Sequence, residues 1–226
     1  MKECPAMIAA LPREVKPLVR GWKEQRLPGK IVVYSNDFAV VACAGMGAER
    51  ATLAVEAALS VRPATVLISV GLAGACDPAL RVGDIVRAGL VVDSRTGERF
   101  GDAQLPQVLV SAAGIASVRE KARLYASYRA SAVDMEAAAV ARAAQMRGLS
   151  FKAIKAISDD AAFELKELAR FGTQDGQFRE AAFAAYVAVR PHLWTKLFQL
   201  AGNGHRAIAA LTAELESQLD LYRQRD

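Results

Sequence analysis

The run Thr65–Val70 constrains the fold most, because it is apolar along its length and leads straight into Gly71-Leu72-Ala73-Gly74. Such a run suits a strand covered on both faces, which requires helices above and below a mostly parallel sheet. The flanking sequence supplies the parts. Met7–Leu11 reads as a buried strand, with Pro12 at the start of a short helix whose Val15, Leu18 and Val19 share one side. Ile31–Tyr34 and Phe38–Ala42 read as a hairpin across Ser35-Asn36-Asp37, and Ala51–Val61 as an alanine-rich helix. Further strands are expected at Asp84–Val92, Gln107–Val110, Ala132–Val133 and Phe151–Ile157, with residues 93–106 as loop. Helices are expected at Ser117–Tyr125, at Glu136–Met146, and at about 177–189, 192–200 and 205–224. The expectation is an α/β chain in which ligands bind at the carboxyl ends of strands. Glu14, Gly71–Gly74, Met135-Glu136 and Ser158-Asp159 all fall at such ends.

Composition narrows the classes. A chain of 226 residues, 53% hydrophobic and 23% charged, suits one medium domain with a large core and excludes a disordered chain. Cys4, Cys43 and Cys76 form no disulfide framework or zinc spacing, and with only two histidines no metal site is expected. The segment Pro5–Leu11 is too short and poorly flanked for a signal peptide, and no apolar stretch is long enough to span a membrane, so a cytoplasmic location is expected. The net charge of +5 gathers in residues 11–30 and 187–213. No aromatic-basic module of nucleic-acid recognition accompanies it, so these charges are expected on solvated helix faces and no nucleic-acid partner is expected.

The glycine loops fail the nucleotide fingerprints. Gly45-Met46-Gly47 is followed by Arg50 where a third glycine would stand, and no Lys-Ser/Thr pair follows either loop. Three acidic residues stand out instead: Glu14 beyond the first strand, Glu136 at a helix start, and Asp159 at the end of a strand. Each alone has an ordinary use at a helix N-terminus. In a parallel sheet the three strand ends can converge on one cleft.

Val133-Asp134-Met135-Glu136-Ala137 followed by Ala156-Ile157-Ser158-Asp159 resembles the paired signature of the nucleoside phosphorylase and nucleosidase superfamily. Further segments fit in order: Ala9-Ala10-Leu11-Pro12-Arg13-Glu14-Val15, Ala44-Gly45-Met46-Gly47, Val70-Gly71-Leu72-Ala73-Gly74 and Leu80-Arg81-Val82-Gly83-Asp84-Ile85-Val86. The superfamily includes purine nucleoside phosphorylases, methylthioadenosine/S-adenosylhomocysteine nucleosidases and futalosine hydrolase, and the chain resembles the methylthioadenosine/S-adenosylhomocysteine nucleosidases. It implies a three-layer α/β/α fold with a mixed, mostly parallel central sheet. It implies Asp159 as the acid toward the purine leaving group, Glu14 as the base that activates water, and Glu136 as the anchor of the ribose hydroxyls with Met135 beside the sugar. Met46, Gly71, Ala73, Gly74, Ser158 and Ile115 would line the substrate. It also implies a homo-oligomer, with a dimer favoured, and no cofactor, inorganic phosphate being a co-substrate only in a phosphorylase. The chemistry suits these residue types: breaking an N-glycosidic bond places positive charge on the ribose and negative charge on the base. A carboxyl acid, a nearby anion and a carboxylate base answer each need.

The sequence departs from that pattern in places. Leu72 and Ser69 replace residues that anchor phosphate or water in relatives, which points to hydrolysis over phosphorolysis. Lys155 replaces a common arginine, and Ile115 replaces an aromatic base-stacking residue. The Val92–Val108 segment is short, as if lacking a strand and a helix. Arg190–Phe198 and Gly202–Arg206 more weakly resemble the tails of hopanoid-associated nucleosidases, which act on adenosine attached to a lipid. Leu193, Trp194, Leu197 and Phe198 with Lys196 and Arg190 could touch a membrane surface, or the helix could pack on the domain or on a dimer partner. A purine nucleosidase is the expectation. A phosphorylase, a nucleosidase for a lipid-linked adenosine and a degenerate nucleoside-binding protein are the alternatives.

Overall fold

The computed structural model describes residues 4–102, 104–163 and 194–224. The strands are β1 (Pro5–Ala9), β2 (Lys23–Leu27), β3 (Ile31–Ser35), β4 (Val40–Cys43), β5 (Val66–Ala75), β6 (Ile85–Ala88), β7 (Leu90–Asp93), β8 (Arg99–Gly101), β9 (Val108–Ser111), β10 (Ala132–Asp134) and β11 (Ser150–Asp159). The helices are α1 (Pro12–Val15), α2 (Ala48–Val61), α3 (Val118–Tyr128), α4 (Ala137–Met146) and α5 (Trp194–Gln224). The sheet order is β2-β3-β4-β1-β5-β10-β9-β7-β8, with β11 pairing both β5 and β6. Parallel pairing runs from β4 to β1 to β5, from β5 to β11, and from β10 to β9 to β7, whereas β10 pairs β5 antiparallel and the marginal pairs β2–β3, β3–β4 and β7–β8 are antiparallel too. The Thr65–Val70 run is therefore the start of the central strand.

Two apolar layers cover the sheet. On one face Ala207, Leu211, Leu215, Leu219 and Tyr222 form a buried stripe of α5 against Met7, Ile68, Val70 and Ile154. On the other, Ala51, Ala54, Val55 and Ala58 of α2 and Val140 and Ala144 of α4 pack on Ile8, Ala42 and Leu67. Alanine on both helices lets them lie close to the strands and to each other. This is the three-layer α/β/α arrangement.

Several expectations change. The basic stretch 11–30 is not a helix face: it contains β2, an exposed edge strand whose charges are solvated and guard the sheet edge. Asp84–Val92 is two strands, β6 pairing β11 and β7 pairing β9, separated at Gly89. The 93–106 segment, expected as loop, holds β8, antiparallel to β7. The expected break at Gly202-Asn203-Gly204 is absent, because α5 runs through it. The expected helix at 177–189, the start of the one at 192–200 and the apolar cluster around Leu193 lie outside the described residues or side chains. Among the described residues no helix is long and apolar enough to cross a membrane.

Candidate active site

Glu14 is placed by the turn between β1 and α1. Pro12 opens the helix, where its missing N–H costs nothing. Glu14 Oε2 then accepts from the Leu11 N–H at 3.4 Å, which turns the carboxylate back over the end of β1. The side chain is buried beneath β5. Gly71 has φ +134°, and a Cβ there would sit 2.9 Å from Glu14 Oε2, so only glycine lets the strand pass over the carboxylate. Burial, reinforced by the neighbouring negative charge of Glu136, pushes the Glu14 carboxyl up to about 7. Lys155 pulls the other way, more weakly.

Glu136 joins Glu14 from the start of α4. Its Oε1 accepts from the Gly47 N–H at 2.7 Å, at the N-terminus of α2, and Oε2 lies 3.3 Å from the Met135 nitrogen. The N-terminus of α2 thus faces this carboxylate, an arrangement that favours an anion. Burial and the adjacent Asp134 nevertheless hold its carboxyl above the ordinary range. Beneath it lies a buried polar frame. Asp134 Oδ1 accepts from Ser111 Oγ at 2.6 Å, and Asp134 Oδ2 accepts from the Ala137 N–H at 2.9 Å and pairs with Lys155 Nζ at 2.9 Å. Lys155 Nζ also lies 3.3 Å from the Val70 carbonyl oxygen. Burial alone would lower the Lys155 amine, but Asp134, Glu136 and Glu14 outweigh it and hold the ammonium above its usual range.

Asp159 stands further along the same edge. β11 follows β5 in register from Lys155↔Gly71 to Ile157↔Ala73, then shifts so that Asp159 rather than Ser158 faces Gly74. Asp159 Oδ1 accepts from Ser158 Oγ at 2.7 Å, and Oδ2 pairs with Lys121 Nζ of α3. A Cβ on Gly74 would lie 2.9 Å from Oδ2 and 3.0 Å from Lys121 Cε, so this glycine makes room for the pair. Glu14 lies under Gly71 and Asp159 beside Gly74. The two acids are thus separated by three positions of β5, about 10 Å at roughly 3.3 Å per residue.

Glu14 and Glu136 are thus brought together, and Met46, Met135, Ala73 and Ser158 sit on the surrounding loops and strand ends. A shallow cleft beside Met135 is lined by Ala48, Ala112, Ala113, Ala138 and Arg95. Ile115 is 45% exposed, so it is not the core residue its hydrophobicity allows, and it does not line that cleft. Leu72 packs into the core on the α5 side, and Ser69 is fully buried with its hydroxyl unpartnered among the described residues. The motifs did not single out Lys121, Ser111 or Asp134 as site residues. Lys121 alone left a trace, since it shares a helical stripe with Val118 and Leu124. No cluster of three or more potential metal-ligating side chains occurs among the described residues.

A mixed α/β sheet with carboxylates gathered at its strand ends defines the class of protein, and the comparisons agree. The sequence matches the phosphorylase superfamily over residues 6–113 and 107–189. The chain belongs to that superfamily and is an enzyme of its nucleosidase and nucleoside phosphorylase class. No curated protein matches the sequence. Solved structures share the fold. The Helicobacter pylori 5′-methylthioadenosine/S-adenosylhomocysteine nucleosidase is 17% identical, with a TM-score of 0.71 covering 97% of this chain and 98% of that one. The futalosine hydrolase of the same organism is also 17% identical, with a TM-score of 0.72 and the same coverage. The Neisseria meningitidis 5′-methylthioadenosine/S-adenosylhomocysteine nucleosidase, in complex with methylthio-immucillin-A, is 20% identical, with a TM-score of 0.68 over 94% of this chain and 96% of that one.

Proposed function

We propose that the enzyme hydrolyses the N-glycosidic bond of a purine nucleoside of the adenosine type, without a cofactor. The observation that carries this is Glu14: a buried carboxyl held at about 7, beside a second carboxylate and some three strand positions from Asp159. A base with that value is ionised in about half the molecules at neutral pH and is still basic enough to take a proton from water. Glu136 accepts hydrogen bonds from the ribose hydroxyls, and its charge with that of Glu14 offsets the positive charge developing at C1′. Asp159, on the other side, delivers a proton to the departing base. Opposed carboxyl groups of this kind suit direct attack by water. Leu72 and Ser69 support hydrolysis over phosphorolysis, since the partly buried Leu72 packs against the core and offers no hydrogen bond, and Ser69 is sealed in the sheet.

The test is purine release from adenosine, inosine, methylthioadenosine, S-adenosylhomocysteine, futalosine and an adenosyl-lipid, each with and without phosphate. Equal rates in both conditions, with free ribose derivative as product, are expected. Release that depends on phosphate and yields ribose-1-phosphate would make the enzyme a phosphorylase. Binding without turnover of any of them would leave only a nucleoside-binding protein. Assembly as a homodimer belongs to the same proposal, and Leu53 on α2 and Met146 on α4, which are 44% and 78% exposed, are apolar groups it could cover.

A further inference from the structure

The leaving-group side of the cleft holds a charge that the roles above do not use. Lys121 on α3 is only 2% exposed, and three acceptors surround its ammonium: Asp159 Oδ2, the Asp160 carbonyl at 2.9 Å and the Phe163 carbonyl at 3.2 Å. All three of its protons are therefore engaged. A further titratable group close to the pair is Cys76, after β5, whose thiol is pushed up to about 12, chiefly by burial, and is therefore neutral. The Asp159 side chain remains 21% exposed, so it is the open side of an otherwise enclosed ion pair. A base seated against Asp159 closes that side. Closing it removes the last water from two opposite charges, which is costly, whereas moving one proton from nitrogen to oxygen leaves two neutral hydrogen-bonded groups.

We propose that Lys121 is a positioning residue that also stores the proton Asp159 delivers to the leaving base, an inference that rests on the nucleosidase reading above. When the substrate covers the pair, an Nζ–H bond breaks and an O–H bond forms on Asp159. As the C1′–N bond breaks, its electron pair goes to the base, and a base nitrogen takes the proton from Asp159. Asp159 returns to a carboxylate and Lys121 is left as a neutral amine. Water adds to C1′ and loses a proton to Glu14. After product leaves, the Glu14 proton goes to solvent and the amine regains one.

The test compares wild type, Lys121→Met and Lys121→Arg from pH 6 to pH 10, using a nucleoside the wild type cleaves. Lys121→Met leaves Asp159 to hold the proton alone, so its kcat relative to wild type is expected to fall as pH rises, about tenfold per unit above neutrality, with much of the activity restored by acidification. Lys121→Arg keeps a cation at the pair but one that does not release a proton. It is expected to fold, to keep KM within about threefold, and to lose about 10²-fold or more in kcat at pH 8. Should Lys121→Met fail to fold, the arginine variant decides alone. A Lys121→Arg enzyme that follows wild type across the pH range overturns the proton store, as does a Lys121→Met enzyme whose loss is the same at every pH. Failure of the wild type to release base is a separate result, which overturns the function itself and this proposal with it.

Discussion

Replacing Glu14 with Gln gives a direct reading of what burial does at this site. The carboxyl has an ordinary value of 4.5 when the chain is unfolded and about 7 when folded. Between those values the folded state holds more protons than the unfolded one, so raising the pH costs stability. The contribution is fully present below pH 4.5 and is lost as pH rises through 7, the reverse of a salt-bridged acid. At about 1.4 kcal/mol per pH unit, the interval sets a ceiling of about 3 kcal/mol, of which about 2.5 kcal/mol falls between pH 5 and pH 8. Glutamine keeps the shape and does not titrate. Urea denaturation of both proteins at pH 5 and pH 8 is the assay, and the quantity is the stability difference between them, which cancels other groups that titrate alike in both. Glu14→Gln should gain about 2–3 kcal/mol on wild type as the pH is raised. A difference that stays constant, or moves in favour of wild type, would falsify the account of Glu14 as a carboxyl strained by burial.

The same carboxyl governs activity with the opposite sign: base release should rise as pH passes about 7 and level off above it, because only the ionised Glu14 can take a proton from water. A profile already flat from pH 5 would remove Glu14 as the base. Asp159→Asn should lower kcat by about 10²–10⁴-fold, measured as purine release, and a near-wild-type rate would exclude it as the acid. Gly71→Ala places a methyl group 2.9 Å from Glu14 Oε2 at φ +134°. It should cost about 1–3 kcal/mol in denaturation and reduce kcat more than it raises KM. Lys155→Met leaves Asp134 buried without its cation, at a cost of about 3–5 kcal/mol. It should also shift the acid limb of the pH profile upward, since Lys155 now lowers the Glu14 value.

How much of this was legible in the sequence follows from where the determining interactions lie. Glu14 and Glu136 could be placed because each lies within a few residues of the carboxyl end of a strand, β1 for one and β10 for the other. β2 was missed because Lys23, Glu24, Gln25 and Arg26 carry no apolar signal; its pairing with β3 is made by the backbone, which sequence pattern does not register. The glycines near 203 suggested a break, but the stripe from Ala207 to Tyr222 anchors α5, and a cost of about 1 kcal/mol per glycine is small against such burial. Lys121 is the instructive case, because the pairing with Asp159 spans 38 residues and two elements that no local pattern connects. Its helix nevertheless carries half of the message. Val118, Lys121 and Leu124 share a face, and Leu124 is buried, so the lysine is driven inward with them. A lysine ammonium is almost never fully buried unless it is paired. A lysine on an apolar stripe therefore implies an acceptor brought from elsewhere in the fold, and of the three acids at the strand ends Asp159 is the one α3 reaches.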